Sequence, residues 1–161
     1  MRRLPALLFA VTLVSVGLWA QNDPLIGAWR LNLAKSMYHR PGPPPRSGTT
    51  TIEAVAGGIR LVADGVNAEG QATHTEYTTL FDGKDYPWKS TIAGNPNPNQ
   101  DAVAVRKIDN YTYEITDKLK GQVLTVRRWV ISRDGRTRTS KVTGRNAQGQ
   151  AVNNTLVFER Q

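Results

Sequence analysis

Two histidines, His39 and His74, and no cysteine are what the 161 residues offer to thiol, imidazole and soft-metal chemistry. Without cysteine there is no thiol nucleophile, no disulfide scaffold, no Cys-ligated zinc or iron–sulfur centre and no lipid-bearing lipoprotein cysteine. His74 and Glu76 stand two residues apart, so a strand would present both on one face. A stable metal site wants three or four donors with hydrogen-bonded support, and no third donor is identifiable beside this pair. There is no Gly-x-Ser-x-Gly elbow, no carboxylate pair standing out for glycoside cleavage, and no glycine-rich phosphate loop leading into a helix. An enzyme, a resident metal and a cofactor all lack support in the sequence.

The chemistry left is that of arginine. Lysine and arginine number 21 against 13 acids, and the excess is concentrated. Arg127, Arg128, Arg133, Arg136, Arg138, Lys141 and Arg145 face a single acid, Asp134, across residues 127–145. Such a ribbon attracts anionic surfaces (lipid headgroups or glycans), and salt weakens the attraction. Nucleic-acid recognition would want exposed aromatics interleaved with the cations, and only Trp129 offers itself. Phase marks a different role for Arg128. It shares a strand face with Leu124, Val126 and Val130, while Arg127 shares the opposite face with Thr125 and Trp129. Arg106 stands similarly among Ala102, Ala104 and Ile108. A buried cation must be paired. In a hollow interior its partner is a ligand carboxylate or phosphate gripped by the arginine fork; in a filled one it is an acid such as Glu114 or Glu76. Tyr113 and Tyr77 are the hydroxyls placed to orient a polar head beside Arg106 and Arg128.

These residues need strands to position them. The stretch 25–33 alternates, with Leu25, Gly27, Trp29, Leu31 and Leu33 on one face, the period of a half-buried strand. Strand character recurs at 48–56, 59–66, 71–81, 84–92, 102–108, 111–119, 123–132, 137–143 and 151–160. The separators are turn signals such as Gly57-Gly58, Asp82-Gly83 and Asp134-Gly135. Ten strands and no amphipathic helix predict an all-β, antiparallel, up-and-down barrel. The proline-rich 36–48 is expected to be a stiff crossing, and 93–100 an exposed loop. Residues 65–72 and 144–151 agree at six of eight positions, which suggests twin turns.

Ahead of the barrel, Met1-Arg2-Arg3 is followed by an uncharged, mostly apolar run to Ala20, then Gln21-Asn22-Asp23-Pro24. This is the pattern of a secretory signal peptide over residues 1–20, with an N-terminal membrane anchor as the alternative. The mature domain is then 21–161, secreted or periplasmic.

Gly27-Ala28-Trp29 on the first strand resembles the Gly-x-Trp signature of the lipocalin and fatty-acid-binding-protein superfamily. That resemblance implies that Trp29 plugs the closed end and that Arg160, on the last strand, packs across its ring, making Gly27, Trp29 and Arg160 structural. The segments 25–32, 34–36, 41–43, 81–87 and 146–150 are similar to small secreted bacterial lipocalin-like proteins of unassigned function, which bring no catalytic residues to transfer. No helical lid and no terminal disulfide accompany them here. The expectation is a monomeric binding protein for a small hydrophobic or amphiphilic ligand, with Arg106, Arg128, Tyr113 and Tyr77 at the ligand. The alternative is a filled barrel that binds anionic surfaces through Arg127, Arg133, Arg136, Arg138, Lys141 and Arg145.

Overall fold

The computed structural model describes residues 23–39 and 42–161. The expected signal peptide at 1–20 lies outside the described residues. Among them the strands are β1 (Gly27–Met37), β2 (Ser47–Val55), β3 (Gly58–Val66), β4 (Ala72–Leu80), β5 (Tyr86–Pro87), β6 (Lys89–Ile92), β7 (Asn95–Pro96), β8 (Ala102–Lys107), β9 (Thr112–Leu119), β10 (Gln122–Ile131), β11 (Thr137–Arg145) and β12 (Ala151–Arg160). They form one antiparallel sheet in the order β5-β8-β9-β10-β11-β12-β1-β2-β3-β4-β6-β7. The sheet is curled into a half-barrel, with no helix among the described residues.

The count is twelve rather than ten because one expected strand is divided and one expected loop contains a short strand. Residues 84–92 do not run as one strand. Pro87 has no N–H to continue a ladder, and the chain changes neighbour around Trp88: Tyr86 pairs with Val103 of β8, whereas Lys89 pairs with Glu76 of β4. The expected loop 93–100 contains β7, which folds back on β6 through Ile92↔Asn95 after a turn at Ala93 and Gly94, both at positive φ. Both edges of the sheet are thus two-residue strands ending in proline, which denies a neighbouring chain a free row of donors. The chain beyond β4 reaches across to β8, where the Gly83 N–H donates to the Val105 carbonyl at 3.1 Å.

The twin turns are real in geometry. In each, Asn Oδ1 accepts from the backbone N–H four residues on (Asn67 from Gln71 at 2.8 Å, Asn146 from Gln150 at 2.9 Å), and the two side-chain amides join.

Leu25, Trp29, Ile52, Ile59, Val103, Tyr113, Ile115 and Ile131 are buried at the end where β1 begins and β12 finishes. Trp29 is fully buried and donates from Nε1 to the Leu25 carbonyl at 2.9 Å. Arg160 lies opposite it in the β1–β12 ladder, its guanidinium 4.3 Å from the indole centroid. That guanidinium also donates to the carbonyls of Gly135 (2.6 Å), Ile26 (2.7 Å) and Pro24. Gly27 makes room for it: a Cβ there would run into Arg160 Nη1. The glycine and tryptophan of Gly-x-Trp therefore act together, one leaving the space and the other the ring. Arg160→Ala is expected to cost about 2–3 kcal/mol, from three orphaned carbonyls and one lost cation–π contact, as read by urea unfolding.

Candidate functional site

Inside the half-barrel lies a cavity of about 330 Å³. Its floor and one wall come from three strands in register. Ile131, Arg138 and Phe158 form the lowest row, Trp129, Ser140 and Leu156 the next, and Arg127, Val142 and Asn154 the highest. Facing them are Ile52, Leu61 and Tyr77, then Thr50, Ala63 and Thr75, then Gly48, Gly65 and Thr73.

Two arginines point into this interior, and they differ. Arg127 is ion-paired with Asp117, which is 5% exposed and also accepts from Gln100 Nε2 (2.8 Å) and Thr125 Oγ1 (2.7 Å). Although burial opposes its charge, Asp117 and the adjacent Tyr77 hold the Arg127 guanidinium above its ordinary value. Arg138 is 2% exposed, and no acid among the described residues forms an ion pair with it. Its guanidinium is walled by aromatic rings, 4.3 Å from the Phe158 centroid, 4.6 Å from Trp129 and 5.5 Å from Trp29. Its Nε and Nη1 have no hydrogen-bond partner among the described residues. Burial, with Arg127 adding to it, pulls its pKa down to about 9, so the group is still a cation at neutral pH. Tyr77 is raised by burial and stays a phenol. Among the described residues the interior therefore carries two guanidinium charges and one carboxylate, with the unbalanced charge on Arg138.

The predicted residues are distributed differently from the expectation. Arg128 is exposed on the outer face of β10, opposite Glu114 and Lys141 in the ladders. Arg106 is also outside, donating to Glu114 at 2.6 Å. Tyr113 is buried at the closed end, its hydroxyl held by the Asp23 carboxylate with Lys107 Nζ 2.6 Å away on the same group. Tyr77 alone of the four lines the cavity. Of the two faces that the sequence left open on β10, the inward one carries Arg127 and Trp129. A bulge between Val123 and Thr125 offsets Leu124, and Trp129 and Ile131, not Val126 and Val130, are the residues taken into the core. Arg127 travels inward with them.

The cationic ribbon is correspondingly divided. Arg127 and Arg138 leave the surface set altogether. Arg133 stacks on Tyr111 at 4.5 Å and Arg136 sits in the adjoining turn, while Lys141 is on the outer face and Arg145 ties to the Gly149 carbonyl (2.7 Å) at the opposite end. His74 pairs with Asp64 at 2.7 Å and not with a metal constellation; among the described residues no group of three possible ligands forms.

Asp117, Gln100, Trp88 and Ser140 line the cavity without having been anticipated. Arg138, Ser140 and Val142 alternate inward along β11, all buried, but nothing in the local sequence sets Arg138 apart from the other cations of the ribbon. No signal marked Gln100, which arrives from a loop. An outer groove of about 420 Å³ beside His74, Trp88, Lys89 and Asn97 is larger but holds no buried, unbalanced charge. A scan against protein-family models finds no match for this chain, and no curated protein matches it.

Proposed function

We propose that this chain is a small extracytoplasmic, lipocalin-like binding protein that holds an amphiphilic anion inside the half-barrel, with the charged end on Arg138. The observation that carries the reading is the buried Arg138 guanidinium with no acid paired to it among the described residues. A buried cation is costly unless paired, and a ligand carboxylate or phosphate is a partner its fork geometry suits. A cavity near 330 Å³ is at the small end of ligand sites, and rings on Trp129, Phe158 and Tyr77 supply apolar area to the rest of the molecule. The charged start and apolar run of residues 1–20 support an extracytoplasmic address.

The test is calorimetric titration of the purified protein with octanoate and octan-1-ol. Octanoate is expected to bind at least tenfold more tightly than the alcohol. Equal affinity for the two contradicts the reading.

A further inference from the structure

Resting on that reading, we infer that the pocket selects a monoanion bearing hydroxyl groups, in preference to either a fatty chain or a doubly charged phosphate ester. The first observation is the charge count. Asp117 already balances Arg127, so a single negative charge neutralises what is left at Arg138. A dianion would leave an excess negative charge near Asp117, in an interior where such imbalance is poorly screened.

The second observation is the lining above the charge. On the β2–β4 side, the two rows above Tyr77 are Gly48, Thr50, Ala63, Gly65, Thr73 and Thr75. None is larger than threonine, and three present hydroxyls. Thr50, almost fully buried, and Thr73 both line the cavity. Thr75 donates to Ser90 Oγ at 3.0 Å and keeps its own oxygen free to accept. A hydrocarbon chain rising from Arg138 would press against these groups and leave them without partners, the costly way to bury a polar atom. A hydroxylated molecule would satisfy them. The opposite wall, with Trp129 and Leu156, offers a flat apolar surface to the other side of the ligand. The occupant that fits both walls is a compact, two-sided polyhydroxy carboxylate such as a sugar acid.

The paucity of bulk is itself enforced. Gly48 and Gly65 face each other across β2 and β3, and a Cβ on Gly65 would meet the Ser47 carbonyl at 2.7 Å. No side chain can be added at Gly65 without moving the backbone, so that part of the upper wall stays free of bulk.

Three sodium salts titrated into the wild-type protein, with tryptophan fluorescence as readout, separate the possibilities: D-glucuronate, octanoate and glucose 6-phosphate. Glucuronate is expected to bind at least tenfold more tightly than each of the others. Thr50→Val, nearly isosteric and comfortable in a strand, is expected to weaken glucuronate about fivefold or more and leave octanoate unchanged or tighter. Octanoate binding more tightly than glucuronate overturns this inference while leaving the anion-binding reading intact. Glucose 6-phosphate matching glucuronate overturns the charge count, and an equal effect of Thr50→Val on both monoanions overturns the hydroxyl wall. Failure of both monoanions to bind contradicts the reading itself.

Discussion

Replacing Arg138 with methionine is expected to give a protein that melts at a higher temperature without ligand and binds octanoate at least 100-fold more weakly. Two effects compete in the unliganded state. Stacking on Phe158, Trp129 and Trp29 stabilises the guanidinium by roughly 0.5–2 kcal/mol per favourable contact. Removing the charge from water costs several kcal/mol when no anion compensates it, and Arg127 adds repulsion. Desolvation wins, and methionine keeps most of the volume against the rings. The net gain is expected to be about 1–2 kcal/mol, visible as a shift of several degrees for a domain of this size. The ligand loses its one charged partner, and about 2.7 kcal/mol corresponds to the 100-fold fall. A variant that is stabler and inactive is the signature of a residue kept for binding at a cost to folding.

The pH dependence follows from the same group. In the unfolded chain this arginine keeps its ordinary, higher pKa, whereas burial in the folded protein brings it down to about 9. Below about 9 both states are protonated and the full burial penalty applies. Above about 9 the unfolded state, with its higher pKa, holds the extra proton, so this group makes stability rise with pH. The difference in stability between Arg138→Met and wild type should therefore narrow as pH rises from 8 to 11, while octanoate binding to the wild type weakens over the same interval. A difference independent of pH would contradict the assignment.

Asp117→Asn is expected to destabilise the protein by about 3–5 kcal/mol, the range for breaking one partner out of a buried ion pair. The substitution is nearly isosteric, so the loss is electrostatic. It leaves Arg127 and Arg138 as neighbouring buried cations and disturbs the bonds from Gln100 and Thr125. Urea unfolding should show a lower midpoint at an unchanged slope. Saturating octanoate should recover part of the loss, since a ligand that binds only the folded state stabilises it, and here it also supplies the missing charge. A cost below 1 kcal/mol would mean that Asp117 does not neutralise Arg127.

Strand alternation and turn residues made the frame legible. The expected strand at 25–33 brought Trp29 and Leu31 to one inner face, and Gly57-Gly58 and Asp134-Gly135 turn where their lack of a side chain or tolerance of positive φ allows. The breaks in the frame came from Pro87 and from the tight turn at Ala93-Gly94, whose effects depend on which strand is the neighbour.

The site was harder to read for a physical reason. Periodicity reports which residues prefer a dry environment, and the wall of a polar cavity reverses that preference. On β10 the apolar alternation of Leu124, Val126 and Val130 marked the outer face, because the inner face had to carry Thr125 and Arg127 toward Asp117. Arg138 was hidden in the same way. In sequence it is one cation among seven, and only the convergence of Trp29, Trp129 and Phe158 from three other strands separates it from Arg136 or Arg145. Long-range register decides that, and no local window contains it.

The most direct test of the central claim observes the guanidinium itself, by recording the arginine Nε–H signals of the labelled protein by NMR while octanoate is added. The Arg138 signal is expected to shift with saturation at the calorimetric affinity, while Arg106 and Arg128 on the outer face stay in place. Shifts confined to the outer arginines, with Arg138 unmoved, would contradict the account.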